Sequence, residues 1–468
     1  MNNISKIIQE QNEKILVYGD IVIDVYKNNK TVRISSECPI PVFEEVNNDE
    51  KIILGGAGNV VNNLLLLNKN CKILSIIEKK YINLMINSEN LINVEDEEYK
   101  NITKTRHYSY NQQSFRIDSV NEYTMSEMTI QKIKNIIDEI IHDYKFIIIS
   151  DYNTGIVNEC VVKYIISESN KLNITTVIDP KNKYEIYKNC SVIKSNKLDA
   201  EKFSGKTINS IEDAYDICDL YLQQLNANEC IITLSENGCV YTNIKKERIH
   251  IKCEKNNNCE IMDVTGAGDT FISTFTLGLT NKINIRENLE LCNLFCSDVI
   301  KRKYTSTVNM LELFKKVNFV FTESNCHILK KYLLEQKIVF TSGCFDLLHE
   351  GHIEILKKGK ELGDILVVAL NDDGSIKKNK GETRPINKLN TRLSILSSIK
   401  YVDFIIVFSE TTPNNIYNII NPNILIKGDD YSFEKIREIF PSVENFVSVS
   451  LINNISTTNI INKIKNDY

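Results

Sequence analysis

A chain of 468 residues is too long for one ordinary core; at roughly 100 to 200 residues per domain it holds about two to four units. With 42% hydrophobic and 25% charged residues it has ample core material, which excludes extensive disorder, and a formal net charge of -5 excludes a general drive toward nucleic acid or an anionic membrane. No apolar run approaches the roughly 18 residues that span a bilayer, and residues 1–14 carry no apolar signal core, so a cytoplasmic location with no membrane or nucleic-acid partner is expected. The 13 cysteines are odd in number and form no CxxC pair. Buried free thiols are the expectation. Cys292 and Cys296 lie one helical turn apart without a His or Cys pair nearby, so no protein-held metal site is expected.

In chain order, short β-rich runs at 15–18, 146–150, 175–178 and 230–233 alternate with helical patterns, the rhythm of a parallel sheet with crossover helices. The segment 31–53 differs, being β-prone and broken by Cys38-Pro-Ile-Pro41; it is expected to project as a small sheet, a lid or dimer contact. A second series at 338–341, 365–370, 404–408 and 424–427 reads as a smaller α/β unit. Between the two, 309–335 is charged, helix-compatible and free of Gly and Pro. The expected division is therefore 1–315, a helical linker over 316–335, and 336–468, with the boundary near residue 330.

Two stretches carry phosphate chemistry. In Asp263-Val-Thr-Gly-Ala-Gly-Asp269-Thr270, glycines at 266 and 268 let successive N–H groups face one point ahead of an apolar helix, an anion hole made by Gly266, Ala267 and Gly268. Asp269 stands at its edge, placed to take a proton from an attacking hydroxyl. Upstream, Gly55-Gly56-Ala57-Gly58-Asn59 opens another helical stretch, and Gly19-Asp20 with Asp24 follows the first strand. Together these resemble the ribokinase-type carbohydrate kinase family over residues 10–312. The resemblance implies Asp269 as catalytic base, Asp24, Gly56 and Asn59 as sugar contacts, and Asn196-Lys-Leu-Asp199 as the element that organises magnesium and ATP phosphates, with Asp where the family has Glu and hence one methylene less reach. Two further departures are the absence of a Gly-Asp turn within 72–100 and Lys303-Tyr304-Thr305 where a Gly is usual. A monovalent cation beside the 263–269 loop is left open.

The second stretch is Gly343-Cys-Phe345-Asp346-Leu-Leu-His349-Glu-Gly-His352, containing two of only six histidines. Three-residue spacing at a helix start puts both imidazoles on one face, able to bind nucleotide phosphates and stabilise the pentacovalent transition state; HExxH zinc spacing is absent. With Ile455-Ser-Thr-Thr458, these elements match in order the cytidylyltransferase-like nucleotidyltransferase family over 336–468. The resemblance implies that His349 and His352 bind the triphosphate, that Gly343, Phe345 and Asp346 shape the nucleotide site, and that Ser456, Thr457 and Thr458 bond phosphate from a helix N-terminus. In the basic loop Lys377-Lys-Asn-Lys380-Gly-Glu-Thr-Arg384, Lys380 is the first choice for reaching both substrates' phosphates, followed by Lys378 and Arg384. Lys427-Gly-Asp-Asp430, after the last expected strand, is assigned to the base or ribose pocket.

A sugar kinase ahead of a nucleotidyltransferase resembles, over the full length, the family of bifunctional heptose 7-phosphate kinases and heptose 1-phosphate adenylyltransferases. The strings Arg33-Ile-Ser-Ser-Glu-Cys-Pro-Ile-Pro-Val42, Asn111-Gln-Gln113, Arg116-Ile-Asp118, Ser150-Asp-Tyr152, Ile178-Asp-Pro-Lys181 and Ser456-Thr-Thr-Asn-Ile460 support that narrower match. It implies ATP-dependent phosphorylation of D-glycero-β-D-manno-heptose 7-phosphate at O1, removal of the 7-phosphate by a separate phosphatase, and adenylyl transfer from ATP to the 1-phosphate. Arg116 and Lys181 are candidates for the distal phosphate. Two alternatives stand beside it: a sugar-nucleotide synthase with another nucleotide, and a kinase unit reduced to a binding or dimerisation module.

Overall fold

The apolar runs read as strands are strands. In the computed structural model, which describes residues 2–8, 13–67, 70–110, 112–119, 123–253, 261–429 and 431–450, the chain divides into Met1–Asn309 and Met310–Tyr468.

The first unit is built on a nine-stranded sheet ordered Arg248–Ile251, Cys239–Asn243, Glu229–Thr233, Val192–Asn196, Thr175–Asp179, Tyr144–Ser150, Lys14–Gly19, Cys71–Ser75, Leu91–Asn93. Cys239–Asn243 runs antiparallel to both of its neighbours, and the remaining strands run parallel to one another. Parallel strands need cover on both faces, which is why Ile147, Ile148 and Ile149 are all buried rather than alternating. Tyr18, Ile149, Ile178, Ile193 and Ile232 meet Ile133, Ile165 and Tyr221 of the crossover helices in one core. Those helices start at polar caps: Ser126 before Glu127–Ile140, Asn158 before Glu159–Lys171, and a Ser210–Asp213 capping box before Ile211–Leu225. Within 72–100, where a Gly-Asp turn was absent, the chain makes short 3-10 turns, Lys79–Leu84 and Ser88–Asn90, and the edge strand Leu91–Asn93.

The projecting sheet has four strands, ordered Pro41–Gly56, Ile21–Ile34, Thr103–Ser109, Gln112–Asp118. It starts ten residues before the expected 31–53, because Ile21 pairs with Gly56 and the hairpin continues, through register shifts at Lys27/Asn29 and Thr31/Arg33, to Ile34 opposite Pro41. Register fixes its two faces. Asp24 lies opposite Lys104 and Tyr26 opposite Arg106, while Arg106 lies opposite Arg116 and Lys104 opposite Asp118, so these polar residues share one face. The other face carries the exposed Ile52, Phe115 and Ile117.

The second unit is a six-stranded, wholly parallel sheet: Val320–Thr322, Phe404–Phe408, Ile365–Asn371, Ile338–Gly343, Ile424–Gly428, Phe446–Val449. Two expectations are corrected here. The 316–335 segment is no helical linker: Val320–Thr322 pairs with Phe404–Phe408 as an edge strand, followed by the helix Cys326–Tyr332, and the second unit begins at Met310. Helix-compatible composition hid a strand only three residues long. Nor is Ile424–Gly428 the last strand, since Phe446–Val449 follows. The chain leaves Ile338–Gly343 first to one side and later to the other, so the strand order switches direction beside that strand, where α/β sheets bind ligands at their carboxyl ends. Val339, Leu366, Val368, Ile405 and Ile426 form the core with Leu356 and Leu396.

Candidate active sites

In the first unit the helix Ala267–Thr280 starts at Gly266, whose φ of +85° suits glycine, and a Cβ there would lie 2.9 Å from Asn59 Nδ2. Asp269, in the first turn, is buried. Its Oδ2 accepts from Asn59 Nδ2 at 2.9 Å and its Oδ1 from the Tyr152 hydroxyl at 2.6 Å. Burial pushes Asp269 up to about 6, while the bonds from Tyr152 and Asn59 restrain the rise. A carboxylate so held is ionised at neutral pH yet basic enough to take a proton. Asn59 is itself fixed by Asn63, one turn on in Ala57–Leu66, through a bond to its carbonyl at 2.9 Å. Gly56 precedes that helix and crosses the Asp20 carbonyl too closely for a side chain.

Asp20 shapes the loop that delivers Tyr152. It accepts from Tyr152 N at 2.6 Å and Thr154 Oγ1 at 2.7 Å, and burial, then Asp151, raises it to about 6. Beside Gly268 lies Lys194 Nζ, 3.2 Å from where a Cβ would sit; it is paired with Asp179 at 2.7 Å. Asn196 caps Lys197–Ser204 by accepting from Asp199 N at 2.9 Å, and its Nδ2 donates to Asp199 Oδ2 at 2.6 Å. Lys181 Nζ lies 3.0 Å from the same carboxylate. The shortened acidic side chain is thus drawn back onto its own helix start.

Asp24 is engaged on both oxygens, by Arg106 at 2.7 Å and by Thr305 Oγ1 at 2.7 Å. Thr305 also shares a 2.8 Å bond with the Tyr26 hydroxyl. Its neighbour Tyr304 takes φ +73° where a glycine is usual, its ring 4.5 Å from that of Tyr26, so aromatic packing accompanies the unfavourable backbone conformation. Arg116 stands apart from Asp269 on the exposed strand Gln112–Asp118, paired with Asp118 at 2.8 Å.

In the second unit Gly343 ends its strand and His349 precedes the helix Glu350–Leu362 that carries His352. The two imidazole centroids are 3.9 Å apart, and Phe345 lies 5.1 Å from His352. Among the described residues neither Nδ1 has a hydrogen-bond partner, although both are buried. Burial holds His349 below its ordinary value; burial, then His349 and Lys380, pushes His352 down to about 4. Close, neutral, under-bonded imidazoles suit an anion that would restore their charge. Lys378 and Lys380 occupy the last turn of Asp373–Lys380. Asp346 binds Arg384 Nε at 2.7 Å and accepts from the backbone of Ile386 and Asn387, fixing the following loop. Asp430, Ser456, Thr457 and Thr458 lie outside the described residues.

Several site residues escaped the sequence reading. Tyr152 and Asp179 lay in strings taken only as family markers. Arg106, Thr305 and Lys194 belong to no spaced motif, because their partners are up to 281 residues away. Arg392 is fully buried and donates to the carbonyls of Asn387, Cys344 and Asn371 and to Asp373. An arginine within the amphipathic pattern of Leu389–Ser397 gives no signal of that role.

Residues 12–311 match the pfkB family carbohydrate kinases and residues 340–463 the cytidylyltransferase-like family. Relatives called bifunctional protein HldE are 36% identical in Campylobacter concisus (97% of each chain covered), 33% in Nitratiruptor sp. (97% of this chain, 99% of the relative) and 33% in Pasteurella multocida (97% of each). Among solved structures, Arabidopsis thaliana ribokinase with ribose and ATP aligns at a TM-score of 0.51 and 13% identity, over 65% of this chain and 99% of that one. Escherichia coli phosphofructokinase-2 with potassium gives 0.51 and 14%, over 64% and 96%. These two likenesses carry the ribokinase-like fold. Two families in this order, and full-length relatives sharing a third of their residues, lead to one conclusion: the chain belongs to the HldE family, bifunctional enzymes of the heptose kinase and adenylyltransferase type that join a carbohydrate kinase to a nucleotidyltransferase.

Proposed function

We propose that the first unit phosphorylates O1 of D-glycero-β-D-manno-heptose 7-phosphate with ATP, and that the second transfers the adenylyl group of ATP to heptose 1-phosphate, releasing pyrophosphate and ADP-heptose for the lipopolysaccharide core. The observation that carries the reading is the buried Asp269 carboxylate, held by Asn59 and Tyr152 at a helix N-terminus. In this mechanism Asp269 accepts the anomeric hydroxyl proton as O1 attacks the γ-phosphorus, the bond from that phosphorus to the β,γ-bridging oxygen breaks to release ADP, and the N–H groups of Gly266, Ala267 and Gly268 stabilise charge on the transferred group. Asp24, Gly56 and Asn59 line the sugar side.

Asn196, Asp199 and Asp179 offer hard oxygen donors near the anion hole, a set that suits Mg2+ arriving mainly on phosphate and water ligands. When bound, Mg2+ neutralises charge on the ATP phosphates. In the second unit His349 and His352 hold the triphosphate, and Lys380, with Lys378 and Arg384, meets the charge of both substrates. Gly343, Phe345 and Asp346 frame the nucleotide, and Asp430, Ser456, Thr457 and Thr458 complete its contacts. A separate phosphatase removes the 7-phosphate between the two steps. The enzyme works in the cytoplasm as a homodimer through the outward face of the projecting sheet, whose exposed Ile52, Phe115 and Ile117 support a protein contact.

The test is mass spectrometry of products formed from ATP, Mg2+ and either heptose 7-phosphate or heptose 1-phosphate in separate reactions. The expected products are the 1,7-bisphosphate in one and ADP-heptose in the other. ADP-heptose alone would assign the kinase unit to another sugar or to a binding role, and a preference for CTP would point to a different sugar nucleotide.

A further inference from the structure

The inward face of the projecting sheet carries Lys51, whose ammonium lies 5.3 Å over the Tyr304 ring, together with Lys104, Arg106 and Arg116, the last three made neighbours by the register of two strands. Two are matched: Arg106 with Asp24 at 2.7 Å and Arg116 with Asp118 at 2.8 Å. Lys104 has no carboxylate within 4.0 Å among the described residues, although its side chain is only partly exposed. Its ammonium sits 5.2 Å over the ring of Tyr152, the residue whose hydroxyl is bonded to Asp269. The cation therefore points from the lid toward the place where the acceptor must lie. Burial lowers its pKa; attraction from Asp24 and Asp118 opposes this and exceeds the repulsion from Arg116 and Arg106, yet the net direction stays down, so desolvation of the charged form is not fully offset in the free protein.

A partly desolvated cation beside two arginines, with no carboxylate in ion-pair range among the described residues, is what a phosphate dianion completes. We infer that Lys104, supported by Arg116, binds the phosphate that the acceptor sugar already carries, and so makes the kinase select phosphorylated over unphosphorylated sugars. Lys181, the other candidate from sequence, is committed to Asp199 at the start of Lys197–Ser204, on the side assigned to nucleotide phosphate. Lys104 instead comes from the lid to the ring of Tyr152, the donor to Asp269, and selection by phosphate is thereby joined to the lid.

The inference rests on the heptose 7-phosphate reading, and the experiment separates the two. Kinase kinetics are measured on the full-length wild type, Lys104→Met, Lys104→Arg and Arg116→Met, each with heptose 7-phosphate and with unphosphorylated heptose. For Lys104→Met the KM for the phosphorylated sugar should rise about 10- to 100-fold, with kcat and the KM for ATP within about threefold of wild type. Activity toward the unphosphorylated sugar should hold, so discrimination collapses. Lys104→Arg should recover much of the loss, and Arg116→Met should lose less than Lys104→Met. Equal losses on both sugars would mean that the lysine serves Tyr152 and Asp269 instead, and unchanged kinetics would remove it from the site; either outcome overturns the inference while the substrate reading survives. A wild type inert toward heptose 7-phosphate overturns the substrate reading itself.

Discussion

Asp269 and the two histidines are opposite solutions to the same problem, a titratable group removed from water. For Asp269, burial favours the protonated form, raising its pKa to about 6, so the free kinase should lose kcat/KM about tenfold per pH unit below that value. A pH profile at subsaturating sugar checks this, and Asp269→Asn should cost about 10²- to 10⁴-fold at neutral pH. For His352 burial favours the neutral form. Folded, it titrates near 4 against an ordinary 6.5, so the folded unit binds fewer protons between those values than the unfolded chain does. Stability of the second unit should therefore fall as pH drops from 6.5 toward 4, and urea melts of His352→Gln should show a shallower fall. His352→Ala should abolish pyrophosphate release and leave sugar phosphorylation intact. The placement of Asp269, His349 and His352 at helix starts was legible because its signals are local, a glycine turn or a three-residue spacing. Tyr152 and Arg106 were not, because a tyrosine after a strand and an arginine within one are ordinary until the fold sets them against a carboxylate.

Elements were legible where they were long or uniformly apolar and illegible where neighbours decide. Val320–Thr322 is a strand because Phe404–Phe408 offers it a free edge. A fragment beginning at residue 336 would leave that edge unpaired, an invitation to association with other chains. It should aggregate on purification while a fragment beginning at residue 310 stays dispersed, as light scattering would show. Arg392 acts at the same scale, tying the loops after Ile338–Gly343 and Ile365–Asn371 to the start of its own helix. Arg392→Met strands one buried and two partly buried carbonyls and should destabilise the second unit by on the order of 3 kcal/mol, with kinase activity retained.

For the whole molecule, the order of the two motifs fixed the order of the two folds, and the relatives spanning 97% of the chain agree with it. Fusion of the two units in one chain secures equal amounts of the two activities. The bond from Thr305 to Asp24 has a further consequence, in time. A ribosome adding about 5 to 20 residues per second needs roughly 15 to 55 seconds to travel between them. Once residue 56 has been added, and for the rest of that interval, both strands of the lid hairpin have been made while the hydroxyl that secures it has not, and Asn59 waits 210 residues for Asp269. The nascent kinase is therefore assembled by its last third, and synthesis that stalls before residue 305 yields a chain with most of its sheet and an unlatched lid.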